Sequence, residues 1–139
     1  MATTSSERGL SLRSPGRFLA ASDRLLALYR EKPRPHLRQS VVDSWMRARA
    51  YRDYVYGTAT RMMAGGHIGA DSSLNKLFWS EMDVELSRAA VDLLGPEAEC
   101  TEQGWTGDHL FSLAGPIYAG TNEIQRNIVA ARVLELPRK

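Results

Sequence analysis

At 139 residues, with 43% hydrophobic content, the chain is large enough to bury one core without covalent staples, so a single domain is expected. Lys and Arg number 18 against 16 Asp and Glu, a formal charge of +2 that gives no reason to expect nucleic acid as the main partner. The lone Cys100 excludes an internal disulfide framework, no apolar run approaches the ~20 residues of a membrane span, and the start MATTSSERG lacks the basic onset and apolar stretch of a signal peptide; a soluble protein of the cytoplasm or another reducing intracellular compartment is expected.

Met1 to Ser14 is rich in Ser and Thr, carries one Glu7-Arg8 pair and shows little periodicity. From Arg17 to Arg30 the residues Phe18, Leu19, Leu25, Leu26, Leu28 and Tyr29 predict a helix, with Pro15 just before or at its beginning and Pro33 and Pro35 ending it. His36 to Ala64 contains no further proline, and Val41, Trp45, Ala48, Val55, Ala59 and Met62 line up as a helical stripe ~40 Å long at ~1.5 Å per residue. Arg52 falls in that stripe and reads as an arginine whose stem packs while its head reaches water or a carboxylate; a ligand or interface role is the alternative. Gly65-Gly66 stops the helix, and Gly69, Asp71 and Ser72 lead into the next.

A third helix is expected from Ser72 to Leu94, burying Leu74, Leu77, Phe78, Met82, Leu86, Ala89, Ala90 and Leu93 and ending at Gly95-Pro96. Glu81 and Glu85 share one face, but no Glu-x-x-His unit accompanies them, so they read as a solvated charged face and not as a metal site. Glu97 to Pro116, with Gly104, Gly107 and Gly115, reads as a long irregular loop in which His109 has no nucleophile beside it. His36 and His67 are equally isolated, and no metal-ligand pattern results.

The closing stretch GPIYAGTNEIQRNIVAARVLELPRK combines a tight turn at Ala119-Gly120, an N-cap at Thr121 and an acidic first turn at Glu123. Ile124, Ile128, Ala131 and Leu134 then recur at helical spacing, which predicts that this face is buried. With no alternating strand pattern, the sum is an all-α, antiparallel four-helix bundle.

Tyr118 to Arg138, YAGTNEIQRNIVAARVLELPR, resembles the C-terminal signature of the acyl-CoA dehydrogenase family: an aromatic residue, a variable position, Gly-Thr, an acidic or amide residue and Ile-Gln-Arg. Ser73 to Glu97 is similar to that family's penultimate long helix, Leu37 to Gly66 fits the helix before it, and Glu7-Arg8 resembles the pair that begins the first helix of its C-terminal domain. The resemblance implies that residues 1–139 are the C-terminal helical bundle alone, without the N-terminal helical and middle β domains; a fragment, a truncated product and a natural small partner are all compatible with it.

By the same resemblance, the complete enzyme would use FAD, acyl-CoA and an electron-transfer acceptor, and would form homo- or hetero-oligomers through the bundle. A glutamate would remove the α-proton of the thioester as the β-hydrogen leaves as hydride to FAD. Many members place that glutamate immediately before Gly-Thr; here the position is Ala119, which cannot accept a proton. Members of the isovaleryl and long-chain types carry it instead at the start of the first helix, where Glu7 stands, so Glu7 is the expected base; an exposed carboxylate is the alternative. Thr121, Asn122 and Glu123 match the segment that approaches the cofactor, the Thr121 hydroxyl reaching the flavin or its phosphates. Ala119, through its N–H, and Gly120 match substrate-facing positions. The alternative for this whole segment is an ordinary capped helix. Gly95 resembles a glycine that contacts FAD from a neighbouring subunit, although Pro96 replaces the commoner second glycine. The Arg-x-x-Phe-Gly flavin-contact motif is lost in YREKPRP, leaving Arg30 as a weak candidate. A non-catalytic assembly module of a dehydrogenase-like complex is the other functional class.

Overall fold

Proline and glycine set the helix boundaries. In the computed structural model, which describes residues 12–100 and 104–137, Pro15 occupies the first turn of helix α1 (Pro15–Glu31), where its missing N–H costs nothing. Pro35 opens a single 3₁₀ turn (Pro35–Leu37) that runs directly into α2 (Arg38–Met63). The end of α2 is closed by the Gly66 N–H donating to the Arg61 carbonyl at 2.9 Å, with Gly65 at φ +85°. Helix α3 (Asp71–Leu94) is followed by a 3₁₀ stretch (Gly95–Cys100), then α4 (Trp105–Ser112) and α5 (Asn122–Arg132). Among the described residues there is no strand, and no helix is long and apolar enough to cross a membrane.

The all-α bundle is as expected, with one element more. The segment read as an irregular loop contains α4, because Gly104 at φ +82° starts a helix whose Trp105 packs against the core around Leu25 and Leu86. His109 is therefore a helical residue, with its Nδ1 3.2 Å from the Ser87 hydroxyl. Arg52 pairs with neighbouring Asp53 at 2.7 Å, as the plain reading of that arginine has it.

Helix α3 is the axis of the molecule and touches each of the other four helices. One core cluster joins Phe18, Ala48, Tyr51, Val55, Trp79 and Met82; a second joins Leu25, Val41, Leu86, Ala89, Ala90 and Leu93. Phe18 meets Tyr51 edge-on, with centroids 5.2 Å apart, and each large side chain buried here contributes roughly 1.5–3 kcal/mol. On α2 the buried stripe is Val41, Ser44, Ala48, Tyr51, Val55 and Thr58, while Trp45, Ala59 and Met62 are half-buried. On α3, Leu74, Leu77 and Phe78 are half-buried instead of buried, and Asn75, Lys76 and Trp79 take the inward positions. Contacted by four helices, α3 also buries Ser80, Asp83 and Ser87, and leaves Glu85, Arg88 and Asp92 exposed along one strip.

The buried stripe expected for the last helix is formed only in its middle, where Ile128 and Ala131 are half-buried. The buried residues of α5 are Asn122 and Gln125, whereas Ile124 is 46% and Leu134 61% exposed. Underneath α5, α3 presents Lys76, Ser80 and Glu81, and only polar partners satisfy those groups.

Candidate functional site at the start of the last helix

The turn before α5 has left-handed backbone at two successive residues, Ala119 at φ +54° and Gly120 at φ +87°. For alanine this conformation costs about 1 kcal/mol, so the surroundings must hold it. Three bonds do so: the Tyr118 N–H donates to the Ala114 carbonyl at 3.1 Å, the Asn122 N–H to the Pro116 carbonyl at 2.9 Å, and the Gln125 side-chain amide to the Ala119 carbonyl at 3.1 Å. Gly120 is required by this closure, because a Cβ there would lie 2.8 Å from Gln125 Nε2.

Thr121 caps α5 as expected, its hydroxyl oxygen accepting the Ile124 N–H at 3.4 Å. The Glu123 carboxyl is held below the usual carboxylate range, first by its own backbone N–H and then by the Thr121 hydroxyl. Among the described residues, the N–H groups of Ala119, Gly120 and Thr121 donate to no protein acceptor. Three neighbouring backbone donors of the turn are thus left without an acceptor among the described residues, the kind of donor group that can serve an acceptor atom of a ligand.

Below the turn lies a polar lock. Asn122 Oδ1 accepts from Lys76 Nζ at 2.6 Å and from the Ser80 hydroxyl at 3.1 Å, and its Nδ2 donates to Glu81 at 3.1 Å. Glu81 also accepts from Arg126, while Glu85 pairs with Arg47; the two carboxylates serve different arginines, and no cluster able to hold a metal occurs among the described residues. Beside the turn, Tyr118 packs on Trp79 with centroids 6.0 Å apart, and Arg13 donates to the Tyr118 hydroxyl while lying 4.8 Å over the Trp79 ring.

Thr121, Asn122, Glu123, Ala119 and Gly120 are thereby brought together. Gly95 is not: it stands at the far end of α3, ~28 Å along the helix from Lys76 at ~1.5 Å per residue. Its φ of +59° and ψ of −133° suit glycine alone, and Arg34 covers it, donating to the Leu93 carbonyl at 3.1 Å. Glu7 lies outside the described residues. Sequence reasoning missed Lys76, whose ammonium is buried and visible only as a polar break in the apolar pattern of α3, and Arg13, which carried no pattern at all.

The sequence model of the acyl-CoA dehydrogenase C-terminal domain matches residues 1–134 of this chain. The chain belongs to that family. Acyl-CoA dehydrogenase IpdE1 of Mycolicibacterium smegmatis is 35% identical over 147 residues, covering 100% of this chain and 36% of that protein. Acyl-CoA dehydrogenase IpdE1 of Mycobacterium tuberculosis is 38% identical over 114 residues, covering 76% of this chain and 28% of its own length. Among solved structures, the FAD complex of PigA superposes with a TM-score of 0.75 at 26% identity, covering 97% of this chain and 37% of that one. This acyl-CoA dehydrogenase domain thus spans about a third of the length of the relatives it matches.

Proposed function

We propose that residues 1–139 serve as the C-terminal helical domain of a flavin-dependent acyl-CoA dehydrogenase, which desaturates the α,β bond of an acyl-CoA thioester, with the family's N-terminal helical and middle β domains supplying the rest of the pocket. The observation that carries this reading is the left-handed Ala119-Gly120 turn, which lies on the family signature and whose N–H groups find no acceptor among the described residues. In this assignment the Ala119 N–H, with Gly120 permitting close approach, donates to the thioester carbonyl and stabilises charge that develops on its oxygen. Because the donors belong to the backbone, a methyl side chain at 119 leaves them intact.

Bound FAD supplies the two-electron acceptor that side chains lack. Thr121 and Glu123 are assigned to its binding, while Asn122, buried and with its side-chain amide engaged by Lys76, Ser80 and Glu81, is assigned to hold the turn from beneath and not to touch the cofactor. Gly95, at the other end of α3, is assigned to the cofactor of a neighbouring subunit. Glu7 is assigned as the base that takes the α-proton. Acyl-CoA, an electron-transfer acceptor and further dehydrogenase subunits are the partners of this reading, and a cytoplasmic or other reducing compartment is its setting.

The alternative class, a non-catalytic assembly module, is favoured by one observation: Ile124 on α5 and Leu134 and Leu136 beyond its end are exposed apolar residues. A chimera separates the two. Replacing the matching third of the M. smegmatis relative with this chain should restore acyl-CoA-dependent reduction of an electron acceptor, and Glu7→Gln in that chimera should lower turnover by orders of magnitude while sparing FAD. A flavin-loaded chimera with undiminished turnover after Glu7→Gln would remove Glu7 from the mechanism.

A further inference from the structure

Lys76 is 2% exposed and sits on the innermost helix, yet its ammonium is directed to the first residue of α5. A buried ammonium is costly unless it is compensated, and here the compensation is a charge-assisted bond to Asn122 Oδ1 at 2.6 Å. That bond fixes which way the amide faces: a flipped Asn122 would set its NH₂ against the ammonium and the Ser80 hydroxyl, and would turn its oxygen toward Glu81. Asn122 in turn donates its backbone N–H to Pro116, across the loop that contains Ala119 and Gly120.

We propose that Lys76 is a positioning residue for the site: it holds Asn122, and through Asn122 the Ala119–Thr121 turn, in its left-handed conformation. The role assigned to the turn's N–H groups rests on the proposed function, but the mechanical claim does not. The charged groups that face Lys76 are Glu81 from its own helix and Glu123 and Arg126 from α5. Burial lowers the lysine's pKa, the two carboxylates offset part of that, and Arg126 adds to it. At neutral pH the lock is closed; loss of the proton at high pH replaces the charge-assisted bond by a weaker one and frees the turn.

Carbon-detected NMR of the full chain tests this without any cofactor. In the wild type, Lys76 Cε, Asn122 Cγ and the Gly120 and Thr121 carbonyl carbons should titrate together, with one midpoint below that of an ordinary lysine. Lys76→Arg should keep their neutral-pH shifts and abolish the titration, and Lys76→Met should hold them at the high-pH values of the wild type. Independent titration of Asn122 and Lys76 in the wild type, or unchanged turn shifts in Lys76→Met, would overturn the proposal. The wild-type titration decides it even if a variant fails to fold. A chimera that binds no FAD would defeat the functional reading and leave this result untouched.

Discussion

The side-chain amide of Gln125 donates to the carbonyl of Ala119 at 3.1 Å, so the last helix closes its own preceding turn from within. This contact explains why residue 120 has no side chain: a Cβ would lie 2.8 Å from the same amide nitrogen. Gly120→Ala should therefore destabilise the chain by about 1–2 kcal/mol, combining left-handed strain with a displaced hydrogen bond. Gly57→Ala, at an exposed α2 position where a Cβ meets nothing within 4 Å, should instead stabilise by about 0.4–1 kcal/mol. Urea unfolding of both variants checks the pair; equal effects at the two glycines would contradict it.

Because α5 turns its polar side inward, truncating that side should cost more than altering its apolar side. Asn122→Ala leaves Lys76, Ser80 and Glu81 each short of a partner and should cost about 1–3 kcal/mol. Ile124→Ser, at a residue 46% exposed, should change the stability of the isolated chain by no more than about 0.5 kcal/mol. The reverse order in thermal unfolding would show that the apolar face is covered within one chain.

These two helix faces show what was legible beforehand. Boundaries were legible wherever proline or glycine acts locally, as at Pro15, Gly65 and Gly95, because each residue dictates its own backbone. The Thr121 cap was legible for the same reason. The direction of the α5 stripe was not: a period of 3.6 reveals that a stripe exists, and its side depends on α3, some 45 residues away in sequence, offering Lys76, Ser80 and Glu81. Helix α4 was hidden by Gly104 and Gly107, whose cost is outweighed by tertiary packing of Trp105. The site was legible as a stretch of sequence, whereas the lock beneath it had no local pattern.

Asp83 is buried beside Arg17, 2.9 Å away, and burial raises its pKa despite that partner. Between the ordinary carboxylate value of 3.8 and this raised value, the folded chain binds more protons than the unfolded one, so stability should fall as pH rises through the window. Melting temperature followed against pH should show this contribution in the wild type and lose it in Asp83→Asn. A wild type and variant whose pH dependences coincide would exclude it.

Tyr51 is fully buried, and its phenol donates to the Arg13 carbonyl at 3.0 Å and to Asn75 Oδ1 at 3.3 Å. Burial pushes its pKa from 10.0 up to about 12. The folded chain keeps this proton where the unfolded chain loses it, so the contribution is complete below 10.0 and declines as pH climbs toward about 12. Tyr51→Phe should abolish that alkaline decline and, by leaving two acceptors without their donor, cost about 1–3 kcal/mol at neutral pH. An alkaline stability profile unaltered by the substitution would count against the buried phenol.

The central claim is that this bundle is the flavin-facing third of an acyl-CoA dehydrogenase. Its most direct test is the FAD retained by the purified chimera with the M. smegmatis relative, read as flavin absorbance per polypeptide after free cofactor is removed. The account predicts stoichiometric flavin; a folded, correctly assembled chimera that retains none would contradict it.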